Sequence, residues 1–510
     1  MRWACALLLS LWAPIAAAEV TSLEITTKRA FGTFKPGDFA LWEGKIHGDL
    51  SPQEAIPGMD KATRNARGRV EYSARIVLIF PVDPARGNGT LVVDIPNRGR
   101  AYAQALFNSP RDEPFQSGTF EQGNGFLQDH GFSVAEIHWE LGQGAQLPSF
   151  TDEAGKPLFV EGAGFAIVRD AVQFLRNPRS DAQVSANPLR GSVQRVIGTG
   201  KSQSGRFLKT FLLGGFNKSG DRLVFDGMQI LTSAGMLSLM RTSAGPESSA
   251  NGIPLFDDVE MRGYTEDPLA IAELMQRVIG RGETPPRMLV MNATTDYYSI
   301  RSSLVRTGPT GTADLPLPPN VRMYDIAGAP HAITPNAPSC AMKPGVLEFS
   351  PVMRALLLHL DAWVARGTEP PATRLMPLEV ATPEAALRAP AYWPGAVIQV
   401  PKRDADGNAL GGIRLPDIEA PLGTHVGLNT TRTRGCMLVG GYQPFAATMA
   451  EREAAGDARL SVAERYRTRD DYVNRVRNAA RKLDSDGFLL PDDAAVIIQA
   501  AASSRAFAKR

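Results

Sequence analysis

The chain has little cysteine, little histidine and almost no net charge. Three cysteines and six histidines are spread over 510 residues, and 55 basic side chains face 53 acidic ones. A formal charge of +2 leaves no basic excess to hold a nucleic-acid backbone, so no nucleic-acid partner is expected. No apolar run beyond the N-terminus is long enough to cross a bilayer, and no internal repeat is visible. The hydrophobic share of 43% is that of an ordinary packed globular protein.

The N-terminus has the basic start, short apolar stretch and small-residue end of a secretory signal. Met1-Arg2 precedes an apolar run from Trp3 to Ala17, broken by Ser10 and Pro14, that closes on Ala16-Ala17-Ala18. Residues 1–18 are therefore expected to be a signal peptide, with an uncleaved anchor as the alternative. The mature protein is expected to be soluble and periplasmic or secreted. Cleavage removes Cys5 and leaves Cys340 and Cys436. In an oxidising compartment these two either pair, closing a loop of about a hundred residues, or remain buried thiols.

The mature chain opens as β. Leu23–Thr27, Phe39–Ile46 and Val70–Phe80 alternate or run apolar and read as antiparallel strands at a sheet edge, with residues 50–68 as loop. From residue 90 strands alternate with helices. Strands are expected at Thr90–Ile95, Phe132–Trp139, Arg195–Gly198, Phe225–Leu231, Arg287–Met291 and Val321–Ile326. Helices are expected at Ala163–Leu175, directly after Gly205, and from Pro351 to Arg366. That alternation implies a mostly parallel sheet covered on both faces, an α/β fold. Residues 19–368 read as its core. Residues 369–510 read as a C-terminal extension packed on it, with an independent domain as the alternative.

One turn concentrates the chemistry: Arg195-Val196-Ile197-Gly198-Thr199-Gly200-Lys201-Ser202-Gln203-Ser204-Gly205-Arg206. It nearly spells a phosphate-binding loop, but the first glycine of that motif would fall on Arg195, inside the strand. As a strand–turn–helix that exposes a nucleophile it fits better, because such a turn needs small residues two before and two after the nucleophile. Ser202 has Gly200 and Ser204 there, whereas Ser204 would have Ser202 and the bulky Arg206. Ser202 is the expected nucleophile, and the Gln203 amide at the helix start an expected oxyanion donor.

A serine hydroxyl needs a base. His331, in Gly328-Ala329-Pro330-His331 directly after the last core strand, is the expected one. His47, His130, His138 and His359 read as structural, and His425 as structural or pocket-lining. Asp296 is the first carboxylate past the preceding strand, placed to orient His331, with Asp257, Asp258 and Glu283 as alternatives. The second oxyanion donor is expected from the amide of Arg98 or Gly99, in the loop after the Thr90 strand. The arginines there also suit a carboxylate-bearing substrate.

Other signals are read as structural. Asp404-x-Asp406-Gly407-Asn408 lacks the distal glutamate of a calcium loop and reads as a hairpin turn. Glu451–Leu483 reads as a pair of solvated amphipathic helices. Asn292-Ala293-Thr294, a glycosylation triplet, follows a buried strand and carries no expectation.

The chain resembles bacterial proteins of the alpha/beta hydrolase superfamily. The resemblance rests on Asn97-Arg98-Gly99, Gly123-Asn124-Gly125-Phe126-Leu127, Ser202 to Arg206 and Ala329-Pro330-His331. It continues through Asp406-Gly407-Asn408 with Gly411-Gly412-Ile413, Pro444-Phe445 and Gly487-Phe488-Leu489-Leu490-Pro491. It spans nearly the whole mature chain. The elbow is also similar to that of glucuronoyl esterases, with Gln203 where those have arginine. The resemblance implies an alpha/beta-hydrolase fold and a serine esterase acting through a Ser-His-Asp triad and an acyl-enzyme, with no cofactor and no metal. A small-molecule or lipid-like ester is the implied substrate. An acyltransferase, or a binding protein on an inactive hydrolase scaffold, is the other class the sequence admits.

Overall fold

The computed structural model describes residues 19–109, 122–148, 150–151, 153–177, 186–238, 242–243, 268–333, 340–382, 395–429 and 434–507. Residues 1–18, expected to be a signal peptide, and the alternative acids Asp257 and Asp258 lie outside them.

A 10-stranded sheet organises the molecule. Its long first strands are β1 (Glu19–Phe34), β2 (Gly37–Leu50) and β3 (Val70–Pro81). The central strands are β4 (Thr90–Asp94), β5 (Ser133–Ile137) and β6 (Arg195–Lys201). The last are β7 (Gly227–Leu231), β8 (Arg287–Ala293) and β9 (Val321–Ile326). They lie in the order β1-β2-β3-β5-β4-β6-β7-β8-β9, and a two-residue strand, Ala145–Gln146, pairs with β3. β1 to β3 pair antiparallel, as does β3 with β5, and every pair from β5 to β9 is parallel. This is the alpha/beta-hydrolase arrangement expected from the sequence.

The parallel strands are short and buried on both faces, as their continuous apolar runs require. Helices α1 (Ala163–Arg176), α2 (Gln203–Leu213), α3 (Ile271–Gly280) and α5 (Ser350–Arg366) flank the sheet; α4 (Thr294–Ser299) follows β8 directly. Between β4 and β6 the winding direction of the sheet reverses. The loops after those two strands diverge there, leaving a crevice at the carboxyl ends of the strands where ligands bind in folds of this kind.

The C-terminal residues share the core of the sheet. Tyr324 of β9 packs edge-on against Phe488, with ring centroids 5.5 Å apart. Ile413 bridges to Ile326 at the sheet edge, donating its N–H to the Asp325 carbonyl at 2.7 Å. Arg354, buried on α5, donates Nε to Asp493 at 3.0 Å and Nη1 to the Ser109 carbonyl at 2.9 Å. Asp493 starts α7 (Pro491–Ala502), which packs on α6 (Arg469–Ser485).

Two details depart from the sequence reading. The Glu451–Leu483 region holds three helices rather than two: Met449–Ala454, Val462–Arg465 and α6. Thr448, Ser461 and Thr468 each cap a new helix start with their hydroxyls, which breaks the charged stretch into separate turns. α6 is also less solvated than expected, burying Tyr472, Val473, Val476, Ala480 and Leu483. The Asp404–Asn408 segment is a turn, as read: Asp404 Oδ1 accepts the amides of Asp406 and Asn408, and Asp406 is paired with Arg465. Among the described residues, no group of three metal-ligating side chains lies together, and no helix is long and apolar enough to cross a membrane.

Candidate active site

Ser202 stands between β6 and α2 in a conformation that few residues other than glycine adopt, φ 58° and ψ −114°. The strain is held from both sides. Its N–H donates to the Leu231 carbonyl on β7 at 2.8 Å, and its carbonyl accepts the Arg206 N–H at 3.0 Å. The returning helix presses so closely on the strand that a Cβ on Gly200 would stand 2.6 Å from the Ser204 carbonyl group. A Cβ on Gly205 would stand 2.8 Å from Ser233 Cβ. Ser204 itself is fully buried in α2 and does not line the cavity described below.

The three residues expected to act together do meet. Ser202 Oγ lies 3.1 Å from His331 Nε2, and His331 Nδ1 lies 2.6 Å from Asp296 Oδ1. Asp296 is buried, and its other oxygen accepts the Ala293 N–H at 3.0 Å, so the carboxylate is fixed by its own strand end. His331 is held by a loop laced to α4. The Gly328 N–H donates to Thr294 Oγ1 at 2.8 Å, and the Thr295 N–H to the Ala329 carbonyl at 3.2 Å. Gly328 has φ 75°, and a Cβ there would meet Ile418 at 2.5 Å, so this loop accepts only glycine.

The other five histidines have structural partners. His47 contacts Glu24, His130 the Phe126 carbonyl, His138 Glu136, and His359 the Gly487 carbonyl. His425 is buried against the Tyr442 ring and does not line the cavity. Glu283 is paired with Arg281, away from Asp296's place on His331.

The oxyanion side needs one correction. Asn97 and Arg100 close a tight turn by exchanging backbone hydrogen bonds at 2.8 and 3.1 Å, with Arg98 and Gly99 both at positive φ. Asn97 Nδ2 ties this turn to the Lys201 carbonyl at 2.9 Å. The Arg98 N–H, expected to face an oxyanion, instead donates to Gln203 Oε1 at 2.9 Å. Gln203 is free to accept it because its own amide hydrogens are turned to Glu140, 3.0 Å from Nε2 to Oε1. Gln203 thus holds the Arg98 turn through its side chain. The Gln203 amide, in the first turn of α2 where no helical carbonyl reaches it, remains a candidate donor, with Gly99 as the second.

Ser202 and His331 open into a cavity of about 330 Å³. Its wall includes residues that sequence reasoning did not assign to a site: Tyr102, Lys201, Thr232, Ser233 and Met236. Thr232 and Ser233 directly follow β7, and a polar pair at a strand end beside the elbow strand is the signal that would have found them. That loop is pinned by Lys209 of α2, whose buried Nζ donates to the carbonyls of Ser233 and Ala234. Burial, with Arg206 nearby, pushes the Lys209 pKa well below the ordinary lysine value. Burial also lowers Lys201, to about 8.

A family model described as alpha/beta hydrolase domain matches residues 51–499. The chain belongs to the alpha/beta hydrolase family. The match takes in the sheet from β3 onward, all three residues of the Ser202–His331–Asp296 line and most of the C-terminal extension of this hydrolase. No curated protein matches the chain. Among solved structures it is similar to acetyl xylan esterase 1 from Thermoanaerobacterium sp., at 11% identity, covering 59% of this chain and 79% of that one with a TM-score of 0.30. It is similar to the glucuronoyl esterase from Solibacter usitatus at 14% identity, covering 55% and 68%, with a TM-score of 0.27. The rice cell wall degrading esterase LipA from Xanthomonas oryzae gives 12% identity, 60% and 90% coverage and a TM-score of 0.27.

Two of the three cysteines of the hydrolase meet. Cys340 and Cys436 form a disulfide with Cα atoms 5.5 Å apart, tying the segment after His331 to the Arg434–Val439 helix. Leu438 of that helix lines the cavity and accepts the Ala332 N–H at 3.1 Å. Cys436→Ser is expected to cost about 2–5 kcal/mol of stability, because it releases a loop of 96 residues in the unfolded chain. Denaturant unfolding of wild type and variant, each with and without reductant, checks this. Identical midpoints for all four samples would show that the bond contributes nothing.

Proposed function

We propose that this protein is a serine hydrolase that cleaves carboxylic esters through an acyl-enzyme. The observation that carries the reading is the continuous line from Ser202 Oγ through His331 to buried Asp296, at 3.1 and 2.6 Å, on a strained elbow at the sheet's switch point. As Ser202 Oγ bonds to the ester carbonyl carbon, His331 Nε2 takes its proton, and Asp296 stabilises the imidazolium through Nδ1. The charge that develops on the carbonyl oxygen is received by the Gln203 amide, aided by the positive end of α2, and by the Gly99 amide. His331 returns the proton to the leaving alcohol, giving acyl-Ser202. It then takes a proton from water as that water attacks the acyl carbon, and passes the proton to Ser202 Oγ as the acyl–oxygen bond breaks, releasing the acid and restoring free Ser202.

The disulfide supports an exported setting, periplasmic or secreted, where such bonds persist. The shared packing at Tyr324–Phe488 and Arg354–Asp493 supports reading residues 369–510 as an extension seated on the 19–368 core.

Hydrolysis of a graded panel of 4-nitrophenyl esters by wild type, Ser202→Ala and Ser204→Ala tests the reading. Wild type is expected to turn over short-chain members, Ser202→Ala to lose about 10⁴-fold or more in kcat, and Ser204→Ala to stay within about tenfold. A wild type inactive on every ester, or a Ser202→Ala variant as active as wild type, would overturn it.

A further inference from the structure

Among the described residues, the charge of the cavity wall is one-sided. Arg98, Arg100, Lys201 and Arg206 all line it, and among the described residues no lining side chain is a carboxylate. Of the carboxylates behind the wall, Asp296 is hydrogen-bonded to His331, Glu140 to Gln203, and Glu348 to the N–H and hydroxyl of Ser350. They offset part of the wall's charge from behind, Asp296 and Glu348 acting on Lys201, but none of them lines the cavity. Cations gathered around so small a space repel one another, and the field they focus into it favours an anionic guest.

Arg98 adds geometry to the charge. It sits in the left-handed turn beside the elbow, and Nη1 is fixed by Asn97 Oδ1 at 3.0 Å. Nη2 is buried with no hydrogen-bond partner among the described residues. An unsatisfied buried donor is costly, and a small rotation that turns this nitrogen from the wall into the cavity would give it a carboxylate oxygen as partner. Arg206, on the first turn of α2, is buried in the same wall, and Lys201 lies beside the Tyr102 ring. Met236, Ile300 and Leu438 supply an apolar side suited to a short hydrocarbon.

We propose that the natural substrate is an ester carrying a carboxylate, bound in this cavity with Arg98 as its anchor and Arg206, Lys201 and Arg100 providing the field. The inference rests on the ester-hydrolase reading and narrows it to a substrate class. Simple stabilisation of the oxyanion by these cations would speed charged and neutral esters alike. A recognition site speeds only the charged one.

The test compares mono-4-nitrophenyl adipate with its methyl-capped diester, which has the same reacting carbonyl and skeleton without the charge. Wild type is expected to favour the anionic ester by about tenfold or more in kcat/KM, with the preference shrinking as salt is added. Arg98→Gln is expected to bring the two esters near parity, and Arg98→Lys to restore part of the difference. Equal or better turnover of the capped ester by wild type overturns the proposal, as does an unchanged ratio in Arg98→Gln. Should Arg98→Gln not fold, the ratio in Arg206→Gln and the salt dependence of the wild type decide in the same sense. Turnover of the capped ester without anionic preference refutes this inference alone. Turnover of neither ester, with Ser202 unreactive, refutes the ester-hydrolase reading beneath it.

Discussion

Asp296→Asn is expected to lower kcat by about 10⁴-fold while leaving the fold intact. The reason lies in how the carboxylate is held. Oδ2 accepts the Ala293 N–H at 3.0 Å and Oδ1 faces His331 Nδ1 at 2.6 Å. In the asparagine variant the carboxamide oxygen keeps the Ala293 bond, so the NH₂ group turns toward Nδ1. An imidazole facing a donor at Nδ1 must carry its proton on Nε2, and Nε2 then points a hydrogen at Ser202 Oγ instead of accepting one. Nothing is left to take the serine proton. Steady-state kinetics together with a thermal melt separates the two effects. An activity within about tenfold of wild type would contradict Asp296 as the residue that orients His331, and a collapsed melting temperature would make the loss structural.

Gly200→Ala is expected to abolish activity and to cost about 3 kcal/mol or more of stability. A methyl group at residue 200 would stand 2.6 Å from the carbonyl carbon and oxygen of Ser204 and 2.9 Å from the Gly205 nitrogen. All of these are backbone atoms of the first turn of α2, so no rotamer change relieves the clash. Either the helix moves off the strand, carrying Ser202 out of reach of His331, or the elbow unfolds locally. Gly220→Ala makes an informative comparison: no atom lies within 4 Å of its added Cβ, so its cost is confined to the positive φ of 58°. Denaturant midpoints and ester turnover for both variants check this. A Gly200→Ala protein as stable and active as wild type would mean that helix and strand do not pack as tightly as described.

The elbow and its partners were legible in the sequence for a local reason. A strained turn writes its steric demands into adjacent letters, and Gly200, Ser202 and Ser204 are those letters. His331 and Asp296 were found because each follows a strand that its own apolar run announces, in the chain order Ser, acid, His. What escaped the sequence depends on contacts between distant segments. Gln203 captures the amide of Arg98, 105 residues away, and no pattern local to either residue signals it. The cavity wall is assembled from the ends of different strands, so Lys201, Thr232 and Ser233 became site residues only once the sheet order brought those ends together. Cys340 and Cys436 were left open for the same cause, since a separation along the chain gives no distance in space. The charged C-terminal stretch misled in the opposite sense: its polar letters hid an apolar face on α6 and three separate capped starts.

The most direct test is to treat the protein with a fluorophosphonate and map the adduct by peptide mass spectrometry, in wild type, His331→Ala and Ser202→Ala. If Ser202 is the nucleophile and His331 its base, wild type takes up a single equivalent on Ser202, His331→Ala reacts slowly or not at all, and Ser202→Ala stays unmodified. An adduct on Ser204, or equal labelling of wild type and Ser202→Ala, would contradict the account.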